Sequence, residues 1–338
     1  MNVLIISWSG DNESVALVTK AIEAKGGKAY RFDTDLYPTQ LMMSAGYEGN
    51  KRTLRLKGAQ MDLDLAKDID AIWYRRLRIG QEIPQEINKQ LYMASVEESK
   101  KTFAGMLGSM KKFTLDPYHK VRHTENKQLQ LQIAAELGLD IPRTLFTNDA
   151  EAVKEFYHSV KAPLITKMQH SFAVYDKEGR ENVVFTNEIT EEHLEDLEGL
   201  EVCPMTFQEK VDKKVELRIT IVGNKVFAAA VDSSVSELSK TDWRRDGVGL
   251  ENAWKPYNLP QEVEAKLLKL MDELGLNYGA ADVIVTHDER YVFLEVNPAG
   301  EFFWLDKLFN GQISEALADV LLDKAPRRTN NIQVLAEA

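Results

Sequence analysis

Apolar and polar positions follow two different periods along this chain. Val3-Leu4-Ile5-Ile6 is a short continuous apolar run. Asn12 and Ser14 then precede Val15, Leu17, Val18 and Ile22 at helical spacing, closed by Gly26-Gly27. The pattern predicts a strand at Val3–Ser7, a capped helix, a second strand at Lys28–Phe32 and a further one at Ala71-Ile72-Trp73-Tyr74. Strand, helix and strand in that order read as a Rossmann-like βαβ domain. The G-x-G-x-x-G turn is missing, so the domain is expected to scaffold or to serve the substrate side, not to hold a dinucleotide. Pro84 to about Met110, with Ile87, Leu91, Phe103 and Leu107, predicts one long helix. It either packs on its own sheet or lines a dimer interface.

Asp116-Pro117 punctuates the chain and sets a boundary, giving a first domain over 1–115. Thr124 is expected to cap a helix that runs to Leu137 and stops at Gly138. A strand at Pro163–Met168 and a helix at Glu191–Leu197 complete a small α+β unit over 116–205. From Thr206 strands dominate, with one more helix at Gln261–Leu274, which defines an antiparallel unit over 206–325. Residues 326–338, polar and broken by Pro326, read as a tail.

Composition narrows the class. The formal net charge of −11 argues against a general nucleic-acid binder, which needs a basic excess to meet phosphates. No apolar run is long enough to cross a bilayer, so no membrane partner is expected. The N-terminus reads as a first strand, not a signal peptide. Cys203 is the one cysteine, which excludes an internal disulfide and fits a cytoplasmic protein. His119 and His123 stand four apart without a third ligand, and read as structural or surface residues.

The most informative segment is Tyr278–Gly300. Ala281–Thr286 and Tyr291–Asn297 read as two strands joined by His287-Asp288-Glu289-Arg290. If Thr286 pairs with Tyr291, Asp282 faces Glu295 across the hairpin, and Asn297 points to the same side. Two opposed carboxylates repel, and their neighbours Val283, Ile284, Phe293 and Val296 predict a largely buried setting. A hard divalent cation resolves that conflict, and two carboxylates plus an amide oxygen suit Mg²⁺.

Asp282 with Glu295-Val296-Asn297-Pro298 resembles the metal-binding hairpin of the ATP-grasp ligases. The resemblance implies an ATP-grasp fold of mixed α/β and α+β character. It has an N-terminal Rossmann-like domain, a small central α+β domain and a C-terminal antiparallel-sheet domain. It further implies that Asp282, Glu295 and Asn297 hold Mg²⁺ beside the phosphates of ATP. Lys127, after Asn126, is similar to the family's first phosphate lysine, and Lys167 on Leu164-Ile165-Thr166-Lys167 to the second. Phe207-Gln208-Glu209-Lys210-Val211 resembles the adenine hinge, so Gln208, Glu209 and Val211 join the ATP-binding set. Glu216 would then reach the ribose.

A cation in the first turn of a helix, as at Lys127, makes sense where an anion binds as well. An ammonium on an apolar strand, as at Lys167, needs a phosphate or carboxylate. Gly223-Asn224 predicts a tight turn between Val215–Val222 and Lys225–Asp232. That register sets Arg218 opposite Ala229, where its guanidinium can reach a reacting phosphate or oxyanion. Asp242-Trp243-Arg244-Arg245 resembles the loop that brings a second arginine, Arg244, to the γ-phosphate.

Four further blocks resemble the microviridin-type peptide maturases in particular. They are Arg31-Phe32-Asp33-Thr34-Asp35, Trp73-Tyr74-Arg75-Arg76, Cys203-Pro204-Met205-Thr206 and Gly300-Glu301-Phe302-Phe303-Trp304. This implies a homodimeric enzyme acting on the leader and core of a ribosomal precursor peptide. It would activate Asp or Glu side chains as acyl phosphates and close esters with Thr or Ser hydroxyls. The helix carrying Glu191, Glu192, Glu195 and Asp196, acidic on one side, is the candidate contact for a basic leader. The alternatives are an amide-forming member, an ATP-grasp ligase that adds amino acids to a protein or small molecule, and a non-catalytic nucleotide-binding module.

Overall fold

The structure, a computed structural model, describes residues 1–59, 61–169, 173–175, 181–183, 186–232 and 253–328. It begins with β1 (Asn2–Ser7), α1 (Glu13–Ala24) and β2 (Lys28–Asp33). The Asn12 side chain caps α1 by accepting from the Ser14 N–H at 2.9 Å. Next comes an antiparallel meander, β3 (Met42–Glu48), β4 (Lys51–Gly58) and β5 (Met61–Asp64). It was not among the expected elements, although Leu54-Arg55-Leu56-Lys57 alternates at strand period and buries both leucines. After α2 (Leu65–Asp68), β6 (Ala71–Tyr74), α3 (Lys89–Ser109) and β7 (Phe113–Leu115) complete the domain. Its parallel sheet runs β2-β1-β6-β7, so the strand order reverses at β1. The second half of α3 buries Phe103 and Met106, whereas Leu91 and Met93 near its start are exposed.

The central unit comprises α4 (Tyr118–Thr124), α5 (Lys127–Glu136), β8 (Thr144–Thr147), α6 (Ala150–Ser159), β9 (Leu164–Lys167), β10 (Ala173–Tyr175), β11 (Glu181–Val183), β12 (Asn187–Ile189), α7 (Glu191–Glu195) and β13 (Met205–Glu209). Two expectations change here. Thr124 ends α4, its hydroxyl bonding back to the Lys120 and Val121 carbonyls, and Asn126 caps α5 instead. Strand β13 pairs with β8 and β9, so a boundary at 205/206 would split a strand that belongs wholly to the central sheet.

The C-terminal unit carries β14 (Val215–Val222), β15 (Lys225–Val231), β16 (Lys255–Pro256), α8 (Gln261–Leu274), β17 (Tyr278–Val285), β18 (Tyr291–Asn297), α9 (Phe303–Leu308) and α10 (Gln312–Leu321). Its antiparallel sheet runs β16-β15-β14-β17-β18. Helices α9 and α10 add to the single helix that the sequence pattern predicts after Thr206. On α10, Ile313, Leu317, Val320 and Leu321 are buried in one cluster with Val15, Val18 and Ile22 of α1 and Val222 and Phe227 of the C-terminal sheet. The first and last domains thus share a core. Nor do Arg327 and Arg328 behave as a free tail. Arg327 donates to the Val320 and Leu321 carbonyls, and the Arg328 N–H donates to the Asn277 side chain at 2.7 Å. No described helix is long and apolar enough to cross a membrane.

Asp116 ties the end of the first domain to the start of β17. Its carboxylate accepts from the N–H groups of Asn277 and Tyr278 and from the Asn277 amide, at 2.9–3.1 Å. Burial nevertheless pushes this carboxyl up to about 6. An aspartate raised in the fold stabilises fully below its unfolded value, about 4, and that contribution is lost as pH rises through 6. Asp116→Asn is therefore expected to flatten the stability–pH curve between about pH 4 and 6, as read by urea unfolding.

Candidate active site

One face of the C-terminal sheet carries a row of charge. On β14, Leu217, Ile219 and Ile221 point into the core with Val283 and Phe293, leaving Glu216, Arg218 and Thr220 on the other face. The register pairs Arg218 with Ala229 on β15 and with Asp282 on β17, and pairs Asp282 with Glu295 on β18. Asn297 lies two residues on, opposite Ala280.

The facing of Asp282 and Glu295 is as expected, but it is reached by another route. Thr286 does not pair with Tyr291; Val285 does, and Thr286 joins the turn. The register then shifts between Asp282 and Val283, leaving Leu294 as an extra residue on β18. This bulge lets Phe293 and Val296 both enter the core while Glu295 and Asn297 keep the opposite face.

The two carboxylates are not a bare anionic pair. Arg218 Nη1 donates to both Asp282 oxygens, at 3.0 and 3.1 Å. Lys127, at the first position of α5, forms an ion pair with Glu295. Burial opposes the charge on Arg218, yet Asp282 and its neighbours outweigh it and hold the guanidinium above its usual range. The buried Arg218 Nε and Thr220 Oγ1 have no hydrogen-bond partner. An anion seated over this face would supply acceptors that the protein does not. The donor set fits Mg²⁺ as well: two carboxylates and the exposed amide of Asn297 are hard oxygens, and an ammonium already sits against one of them. The Asn297 oxygen also accepts from the Ala299 N–H at 2.9 Å.

The other expected residues lie on the central sheet and around its edge. Leu145 and Phe207 pack beneath α6 and α7, so Thr144, Gln208 and Lys167 occupy the opposite face. Lys167 Nζ donates to Gln208 Oε1 at 2.9 Å, and Gln208 Nε2 donates to Thr144 Oγ1 at 2.8 Å. Gln208 is buried, and through these bonds it sets the position of Lys167. The Glu209 N–H donates to the Arg143 carbonyl at 2.9 Å, and Val211 lies in the connection to β14. Glu216 accepts from Lys213 at 2.7 Å. Glu191, Glu192, Glu195 and Asp196 are exposed on or just after α7, away from the charge row's own strands. Arg244 lies outside the described residues. A cleft of about 380 Å³ between α5 and β8, lined by Leu131, Ile141, Thr144 and Phe146 among others, holds none of the expected site residues. Among the described residues no group of three or more His, Cys, Asp or Glu side chains could hold a metal, so His119 and His123 gain no partner.

Residues 2–122 match the family model described as MvdD pre-ATP grasp domain, and residues 124–321 match the RimK-like ATP-grasp domain. Among solved structures, the chain is similar to a RiPP-associated ATP-grasp ligase of Chryseobacterium gregarium in complex with ADP and a leader and core peptide. Identity is 42% and the TM-score 0.93, covering 98% of this chain and 99% of that one. It is also similar to the macrocyclase MdnC of Microcystis aeruginosa MRC bound with precursor peptide MdnA, at 47% identity and TM-score 0.87, covering 96% and 100%. A probable alpha-L-glutamate ligase of Vibrio vulnificus is 22% identical over 313 residues, 88% of this chain and 95% of its own length.

The Arg218–Asp282 contact was not anticipated, because nothing local in the sequence says that β14 neighbours β17. Removing the cation takes away the guanidinium that meets both Asp282 oxygens beside Glu295. Arg218→Met is expected to cost about 3 kcal/mol at neutral pH, the lower end of the range for a broken buried pair, since the Asp282 side chain is 22% exposed. Urea unfolding of the variant against the wild-type chain measures it.

Proposed function

The chain belongs to the RimK-like ATP-grasp ligases, and from that premise we propose that it is an ATP-dependent macrocyclase of a ribosomally made precursor peptide. The observation that carries this reading is the row Arg218–Asp282–Glu295–Lys127, with buried donors left over on the same face. The two relatives solved with precursor peptides support it.

In the proposed reaction, an oxygen of a peptide Asp or Glu side chain attacks the γ-phosphorus of ATP, and ADP leaves. Mg²⁺ held by Asp282, Glu295 and Asn297 supplies charge neutralisation on the phosphates. Lys127 and Lys167 bind phosphate oxygens, and Gln208 keeps Lys167 extended towards them. Gln208, Glu209 and Val211 border the adenine, and Glu216 meets the ribose. A Thr or Ser hydroxyl then attacks the acyl phosphate carbonyl. Its proton is lost, inorganic phosphate leaves, and an ester closes the ring; a Lys amine would give an amide. Arg218 holds the developing oxyanion through the donor that the fold leaves over. Arg244 belongs to the same proposal, as a partner of the γ-phosphate.

The exposed acidic group Glu191, Glu192, Glu195 and Asp196 is proposed to meet basic residues of the leader. The apolar Leu91 and Met93, exposed on α3, are proposed as part of a homodimer contact, and the enzyme is placed in the cytoplasm, where ATP and a free Cys203 are compatible. The glutamate ligases support a second reading, in which the acceptor is an amino acid added to a protein or small molecule.

Incubating the chain with ATP, Mg²⁺ and a candidate precursor should remove one water per ring by mass spectrometry, and mild alkali should restore the mass if the bond is an ester. Glutamate addition would raise the mass instead and decide for the second reading. Asp282→Ala and Glu295→Ala are each expected to lower peptide-dependent ADP release by about a hundredfold or more, with folding checked by circular dichroism.

A further inference from the structure

Parallel sheets bind ligands where their strand order reverses, in the crevice beyond the carboxyl ends of the strands. In the N-terminal domain that place lies between β1 and β6, where Ser7, Asp11, Asn12, Arg75 and Arg76 gather. The crevice is filled from the other end of the chain. Arg75 Nη2 meets Glu301 Oε2 at 2.5 Å, Arg76 and Asn12 hold the same carboxylate, and Arg75 Nε is fixed by Asp11 at 2.7 Å. The Arg75 and Asp11 side chains are 2% and 0% exposed. Burial pushes the Asp11 carboxyl up, but Arg75 carries it below its usual range, so Asp11 is ionised at neutral pH.

Glu301 also touches the charge row, through its backbone. Its carbonyl accepts from Arg218 Nη2 at 3.2 Å. The preceding residue, Gly300, lies so close that a Cβ there would come within 2.7 Å of Arg218 Nη2 and 2.5 Å of the Ala280 Cβ. Tyr278 clamps the Gly300 carbonyl at 2.6 Å. The 300–301 backbone is therefore a strut under Arg218, and the far end of the strut is anchored by two arginines of the first domain.

We infer that Glu301 is a positioning residue through which Arg75 and Arg76 of the N-terminal domain fix Arg218, and with it the Asp282 carboxylate offered to Mg²⁺. The inference rests on the functional reading above. It assigns the N-terminal crevice to bracing the phosphoryl-transfer site instead of binding a ligand of its own. Loosening the strut acts on the row alone, because the residues proposed for adenine and ribose belong to β13, its following loop and the start of β14.

Glu301→Gln keeps the backbone carbonyl and the side-chain shape but removes the charge that the arginines hold. Calorimetric titration of ADP at graded Mg²⁺ should show the Mg²⁺ midpoint rising about tenfold, the scale on which residues that orient metal ligands act. In turnover, kcat should fall by a similar factor of about ten while KM for ATP stays within about twofold. A residue needed only for folding would lower the fraction of active protein and leave the midpoint unmoved. A wild-type midpoint in folded Glu301→Gln overturns the inference. If that variant does not fold, Arg76→Gln removes only the half-exposed arm of the clamp. A midpoint shift of about threefold then supports the inference, and none overturns it. Should the wild-type chain bind Mg²⁺ and ADP but cyclise no peptide, the functional reading fails, while the comparison of midpoints still decides this one.

Discussion

The buried pair between Arg218 and Asp282 is the contact on which the rest of the site depends. A guanidinium taken out of water costs several kcal/mol unless its hydrogen bonds and its charge are met. The fold meets the charge and all but the Nε donor from three directions: Asp282 on the neighbouring strand, the Glu301 carbonyl beneath, and the Trp304 ring, 5.9 Å from the guanidinium carbon. None of these groups would be in reach if β14 and β17 slipped by one residue, since a slip turns every side chain to the other face. The register of the sheet and the charge balance of the site are therefore one constraint.

The bulge at Leu294 follows from the same constraint. Strand β18 must offer Phe293 and Val296 to the core and Glu295 and Asn297 to the site. Strict alternation cannot place residues three apart on one face, and one extra residue removes the conflict. Beyond the row, the same sheet face passes into apolar packing, with Val222, Phe227 and Tyr278 against α10 and the first domain. Arg218 thus stands at the boundary between a dry core and the charged row of the sheet.

Local pattern made much of this legible. The run Val3–Ile6, the Asn12 cap, the Gly223-Asn224 turn and the two strands of the acidic hairpin are short-range signals, and the elements they predict are present. Asp282 opposite Glu295 was readable because a hairpin closes on itself within a few residues. What escaped were long-range facts. Neither the β14–β17 pairing, which hands Asp282 to Arg218, nor the reach of Glu301 to Arg75 across 226 residues leaves a periodic trace. Helices α9 and α10 escaped for another reason: Gly311 interrupts a segment whose aromatics, Phe302, Phe303 and Trp304, suit a strand as well as a helix. Thr124 lost the capping role to Asn126 because the chain had already entered a helix at Tyr118.

Charge balance finally explains why these cations sit where they do. Among the described residues Arg218 meets Asp282 and Lys127 meets Glu295, so each carboxylate of the row faces a cation. Under the proposed reaction, a divalent cation shared by the carboxylates would displace the more exposed partner before the buried one. Lys127 hangs from the first turn of α5, and its side chain and that of Glu295 are each 22% exposed, whereas Arg218 is held by three groups at 7% exposure. In the proposed reaction, the ammonium released from Glu295 would then meet the phosphates of ATP at the start of α5. Pairing each carboxylate with a cation avoids burying a bare anion, and under the proposed reaction it leaves Lys127 at hand for the negative charge of ATP.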